Sequence, residues 1–186
     1  MSLAVQDQAE PYLMQMFGRH GYMLLPDVAA LPKRFVTLAR DFLRSYRRWV
    51  RLFTDLITIS TDRERVLVDV TLEAQRLVKR SGVQSGICSL FAHGATAALM
   101  IQENDDPNIG EDVVDCLDKL VPKGVWRHDR IDGNGASHIQ AGIVGPSETI
   151  PIRDGQLDLS VWQNVFLCEF DGPRRKRTIA VTIMGD

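Results

Sequence analysis

The sequence predicts an α+β fold. Strand-like apolar runs stand before, between and after two helical segments. The two kinds of segment do not alternate regularly, which argues against a doubly wound sheet. Asp154-Gly155, set between apolar residues, is a strong short hairpin signal. At 186 residues, 45% of them apolar, the chain is long enough for one domain with a sizeable core and an appendage.

Residues 1–50 read as an N-terminal basic helical extension, and residues 51–186 as the main domain. Residues 1–51 carry a net charge of +4 and the remainder −6. The positive charge is concentrated in residues 31–51, where Phe35, Leu38, Phe42 and Tyr46 recur at helical spacing with Arg40, Arg44, Arg47 and Arg48 between them. Such a helix can grip an anionic surface or simply present a solvated face.

From residue 52 the texture changes. Residues 52–60 are rich in β-branched side chains and read as a strand. Thr61 to Glu64 form a turn, and residues 65–70 a second short strand. A helix follows over 71–80, with Val70, Ala74, Leu77 and Val78 on one face and Gly82 placed to end it. Residues 86–92 and 95–102 read as buried strands, although the composition of the second also suits a helix. The clearest helix runs from Asn108 to Leu120. Asn108 and Glu111 are spaced as a capping box, Ile109, Val113, Cys116, Leu117 and Leu120 form its apolar stripe, and Pro122 ends it. The last third returns to strands: the 154–155 hairpin, then residues 162–170 and 178–184 around a turn rich in arginine and lysine.

Composition narrows the function classes. The net charge of −2 does not suit a dedicated nucleic-acid binder. No apolar run reaches the ~18 residues of a membrane span, so no integral membrane segment is expected. The start lacks a basic region followed by an apolar one, so no secretory signal is expected either. Cys88, Cys116 and Cys168 form no CxxC pair, sit in apolar stretches and read as buried thiols of a reducing compartment, the cytoplasm.

Residues 96–107 read T-A-A-L-M-I-Q-E-N-D-D-P, followed by V-P at 121–122 and W-R-H-D at 126–129. Then come D-G-N-G-A-S-H-I-Q-A at 132–141, G-P-S-E-T-I-P-I at 145–152, D-G-Q-L-D-L-S-V-W-Q at 154–163 and C-E-F-D-G-P-R-R-K-R at 168–177. In this order and spacing they resemble the YjbQ family, also described as secondary thiamine-phosphate synthases. The resemblance covers about residues 52–186. It implies a compact α+β subunit with a large, mostly antiparallel or mixed sheet and two main helices, assembled as a homotrimer. It also implies a thiamine-phosphate-synthase-like transferase, with a non-catalytic trimeric protein binding metabolites or metal as the alternative. One departure stands out. Many members have Pro-His-Thr-Thr-Ala where this chain has His93-Gly94-Ala95-Thr96-Ala97. Gly94 takes the place of the family histidine, and on a strand the one-residue displacement would turn His93 to the opposite face.

The candidate site follows from these blocks. His128 and His138 flank an Asp-Gly-Asn-Gly loop, and Glu103 and Asp112 precede them. Imidazole and carboxylate suit Zn²⁺ or another divalent ion such as Mg²⁺, so His128, His138 and Asp112 are candidate ligands. Local hydrogen bonding of each histidine without a metal is the alternative reading. Asn134, between two glycines, can point an amide into a pocket. Ser147 and Thr149 offer hydroxyls beside Gly145-Pro146 for a phosphate. Trp162, followed by Gln163, could stack on a ligand ring or serve in the core. Arg174 suits a phosphate or pyrophosphate by bidentate contact. The expectation is a pocket for an anionic small molecule, built from His138, Asn134, Glu103, His128 and Arg174 and completed by a second subunit.

Overall fold

The computed structural model describes residues 50–186. The expected basic helix lies outside the described residues, apart from its last positions. The elements are β1 (Arg51–Thr61), β2 (Val66–Asp69), α1 (Thr71–Ser81), β3 (Gly86–Ala92), β4 (Ala97–Gln102), α2 (Asn108–Leu120), a 3₁₀ turn (Arg127–Arg130), α3 (Gly135–Val144), β5 (Ser147–Arg153), β6 (Gln156–Leu157), β7 (Asn164–Glu169) and β8 (Arg174–Gly185).

The α+β class is as predicted, with two differences. The strands form two antiparallel sheets, ordered β1-β8-β3-β5-β6 and β2-β7-β4. There are three α-helices among the described residues, because the run after Asn134 is helical. The smaller sheet lies inside the molecule. Leu99 and Leu167, register partners across β4 and β7, face a main core shared with Leu90, Ile150, Ile179 and Val181 of the larger sheet and with Ala74, Leu77 and Val78 of α1. On the other face, Ala98 and its partner Cys168 pack with Leu117 of α2 and Ala141 of α3. Alternation along a strand sends neighbours to opposite faces, and here both faces are buried.

Helix ends follow local chemistry. Gly82 closes α1 with φ of 70°, the left-handed value expected at that position. The Asn108–Glu111 capping box does not form. Pro107 occupies the N-cap, the Asn108 side-chain amide donates to Asp106 Oδ1 at 2.7 Å, and Glu111 instead pairs with Arg63 at 2.8 Å. Cys116 and Leu120, assigned to the buried stripe, are exposed, so α2 buries a narrower face centred on Leu117.

Burial pushes the Cys88 thiol up to about 12. Burial and then the Glu148 charge do the same for Cys168. Neither is a nucleophile near neutrality. A thiol whose folded pKa is raised favours the folded state fully below its unfolded value. We therefore expect stability in urea to fall as pH rises from about 9 towards 12. A flat urea midpoint across that window would contradict the burial of these thiols.

The described residues 50–186 form two apolar clusters of their own. A chain beginning at Trp49 is expected to be soluble and to melt cooperatively like the full chain, since domain boundaries fall where few contacts cross. Insolubility of that shorter chain would place the basic segment in the core.

Candidate functional site

A buried ion pair organises one end of the sheets. Glu169 is fully buried at the end of β7, and Arg177, near the start of β8, has a side chain only 10% exposed. Arg177 grips it with a two-pronged contact, Nε to Oε2 at 2.7 Å and Nη2 to Oε1 at 2.6 Å. The Thr61 hydroxyl and the Asp171 N–H also donate to the carboxylate, at 3.2 and 2.9 Å. Arg177 Nη2 further donates to Thr96 Oγ1 at 2.8 Å. These bonds tie β1, β7, β8 and the β3–β4 connection together. Buried charge is tolerated when each group is satisfied in this way.

Gly94, in that connection, has φ of 119°, and a Cβ there would meet Arg177 Nη1 at 2.5 Å. That φ is one that L side chains rarely adopt, so any residue other than glycine would be strained there. His93 turns to Thr178, with Nδ1 2.9 Å from its hydroxyl. Strand alternation puts Thr178 on the opposite side of β8 from Arg177.

The first turn of α3 gathers the other polar groups. Asn134 and His138 are four residues apart, so they share one face of the helix. The Asn134 amide donates to Asp171 Oδ2 at 3.3 Å, and Asp171 pairs with Arg174. Asn134 Oδ1 is buried with no hydrogen-bond partner among the described residues. His138 Nδ1 lies 3.1 Å from the Ala95 carbonyl, an acceptor, so Nδ1 holds the proton and Nε2 presents its lone pair. The His128 ring stands edge-on to that of His138, with centroids 4.8 Å apart, and His128 Nε2 lies 3.0 Å from Asp132 Oδ1.

The loop that carries His128 and Asp132 is braced by Asp129. Its Oδ2 accepts the Trp126 N–H at 2.9 Å, and its Oδ1 accepts the Gly135 N–H at 2.8 Å. A Cβ on Gly135 would lie 2.7 Å from Asp129 Oδ1 and 2.9 Å from Trp126 Cβ, so only glycine fits. A cavity of about 440 Å³, with Trp126, His128, His138 and Ile139 among its walls, opens beside the two imidazoles.

Of the residues expected at the site, His128 and His138 stand together beside one cavity, while Asn134 and Arg174 meet separately through Asp171. The others lie elsewhere in the subunit. Glu103, beyond the far end of β4, accepts the Asp105 and Asp106 N–H groups and lines a separate cavity of about 240 Å³ with Arg63 and Glu111. Asp112 is exposed on α2 and is not part of the histidine cluster. Trp162 is 55% exposed, and Gln163 Oε1 accepts the Ser160 N–H at 3.0 Å. Both precede β7 while Glu169 ends it, a strand length of about 20 Å at ~3.3 Å per residue. Ser147 and Thr149 are exposed on β5, where they pair with Phe91 and Ser89 of β3.

Sequence reasoning missed Asp132, Glu169 and Arg177 as partners. For Asp132 the available signal was its position four residues after His128. For Glu169 it was a lone carboxylate in an apolar strand, eight residues from an arginine across a turn.

The comparisons agree with this architecture. The family model described as "UPF0047 protein YjbQ-like" matches residues 55–186. A UPF0047 protein of Methanocaldococcus jannaschii is 40% identical over 128 residues, 69% of this chain and 91% of that protein. UPF0047 protein YugU of Bacillus subtilis is 33% identical over 132 residues, 69% of this chain and 97% of that one. The solved structure of a YbjQ-like protein of unknown function from Sulfolobus solfataricus aligns with a TM-score of 0.71 at 36% identity, covering 74% of this chain and 99% of its own. A hypothetical protein from Aeropyrum pernix aligns with a TM-score of 0.68 at 32% identity, covering 72% and 99%. The chain belongs to the YjbQ (UPF0047) family.

Proposed function

We propose that the protein is an enzyme acting on a phosphorylated small molecule, with formation of thiamine phosphate as the candidate reaction. The paired imidazoles of His128 and His138, and the Asn134–Asp171–Arg174 contacts made from the start of the same helix, support this reading. In that reaction a thiazole nitrogen bonds to the methylene carbon of an aminopyrimidine diphosphate, and diphosphate leaves with the C–O electron pair. Arg174 would hold the departing charge, with Asn134 positioning Asp171 beside it. His138, whose Nδ1 faces the Ala95 carbonyl, would serve through Nε2 as a ligand of a divalent ion, which would further offset the leaving charge. The test is release of pyrophosphate when both substrates are supplied with Mg²⁺ or Zn²⁺. No release above the uncatalysed rate would remove the enzyme reading.

The second reading is a metabolite-binding protein without turnover. The pairing of Arg174 with Asp171, and of His128 with Asp132, favours it, because both basic groups already have compensating partners. Binding without pyrophosphate release would support it.

We further propose that the subunit assembles as a homotrimer. The outer face of the larger sheet has the cross-strand rows Leu52–Met184–Ile87 and Leu56–Ala180–Phe91, with Thr54, Thr182 and Ser89 between them. Leu52, Leu56, Ile87, Phe91 and Met184 on this face are all exposed, and none of these positions is ionisable. An apolar patch of this kind, without charge along its central rows, suits a protein partner better than a nucleic acid. A neighbouring subunit would also be the means of bringing Trp162, Gln163 and Glu103 towards His138. Light scattering is expected to return three times the chain mass at micromolar concentration; a monomer mass would contradict the assembly. The free, unpaired state of Cys88, Cys116 and Cys168 supports a cytoplasmic setting.

A further inference from the structure

We propose that His128, Asp132 and His138 form the binding site for a single transition-metal dication of the Zn²⁺ class. This deepens the reading above, on which it rests for the role of the ion. Each of the three residues can offer one ligand atom, and those atoms lie within 4.8 Å of one another. Ligands on one tetrahedral zinc ion, at bonds of about 2.0–2.2 Å, stand about 3.4 Å apart. The set therefore has to close by on the order of 1 Å. His128 and Asp132 have side chains 42% and 50% exposed, free enough to make that adjustment.

The supporting geometry is already in place. The Ala95 carbonyl, 3.1 Å from His138 Nδ1, takes up that nitrogen and leaves Nε2 available as the ligand atom, as a backbone carbonyl does for a metal-bound imidazole. Asp129 cross-braces the loop that carries the other two ligands, and Gly135 is the residue that lets the brace close. Two imidazoles and one carboxylate favour zinc, cobalt or iron over the all-oxygen coordination of Mg²⁺ or Ca²⁺. Three protein ligands leave a fourth position open, and the cavity of about 440 Å³ beside His128 and His138 gives a ligand oxygen room to reach it. Asp132 thus takes the part that spacing alone suggested for Asp112, which lies outside the cluster.

The full chain, purified without a polyhistidine tag and stripped with a chelator, should be titrated with Co²⁺ while its visible absorption is followed. Zn²⁺ stoichiometry should be measured separately by elemental analysis after dialysis. One ion per chain is expected, with a visible band typical of four- or five-coordinate cobalt. His128→Ala, Asp132→Asn and His138→Ala should each weaken binding at least tenfold, while His93→Ala and Asp112→Asn leave it unchanged. Should His138→Ala fail to fold, the two substitutions in the exposed loop decide the matter. Absence of binding in a folded chain, or binding indifferent to His128→Ala and Asp132→Asn, overturns the site. The two readings fail separately. An intact cobalt spectrum without pyrophosphate release removes only the reaction, and pyrophosphate release by a folded chain that binds no cobalt removes only the metal site.

Discussion

Glu169→Ala is expected to destabilise the protein by about 3–5 kcal/mol, the usual cost of leaving one member of a buried ion pair without its partner. The alanine would strand the Arg177 guanidinium, 10% exposed, with Thr96 as its remaining partner. It would also release the Thr61 hydroxyl and the Asp171 N–H. Urea unfolding measures the loss directly. The double variant Glu169→Met with Arg177→Leu should recover much of it, because removing both charges removes the uncompensated one. A single substitution that costs less than about 1 kcal/mol would show that the pair is not the fastening described.

His138→Ala is expected to lower pyrophosphate release at least about tenfold, because the variant loses a ligand of the ion that would offset the leaving charge. Its melting temperature should stay near that of the wild type. The imidazole makes one hydrogen bond, to the Ala95 carbonyl at an exposed position, and such a bond contributes about 1 kcal/mol. His93→Ala is the control, since His93 bonds to Thr178 away from the cluster. Equal losses in the two variants would remove the special role of His138.

What the sequence made legible was set by local chemistry, and what it concealed was set by tertiary contacts. The helix over 71–81 was readable because Ala74, Leu77 and Val78 repeat at helical spacing and Gly82 ends it. α3 was not readable. Its run Gly-Ala-Ser-His-Ile-Gln-Ala-Gly-Ile-Val has two glycines, no Lys, Arg, Asp or Glu, and little amphipathic contrast. The fold holds it in place instead: Ser137 Oγ donates to the Phe170 carbonyl at 2.7 Å, and the buried Gln140 amide donates to Asp118 Oδ1 at 2.9 Å. Missing that helix also hid the reason Asn134 and His138 share a face. The division of the strands into two sheets was equally concealed, because alternation reports which face is buried but not which strand lies alongside. At the site, residue types singled out His128 and His138, which stand together, and Asn134 and Arg174, which meet through Asp171. The pairing of Glu169 with Arg177 needed the register of a hairpin that periodicity does not supply.

The central claim is that the groups around the first turn of α3 bind a phosphorylated ligand. Isothermal titration of the full chain with pyrophosphate, in the presence of Zn²⁺ or Mg²⁺, tests it most directly. The account predicts one site per chain, weakened at least tenfold by Arg174→Ala and by His138→Ala and untouched by His93→Ala. A titration without heat in a folded protein, or equal affinity in wild type and Arg174→Ala, would contradict it.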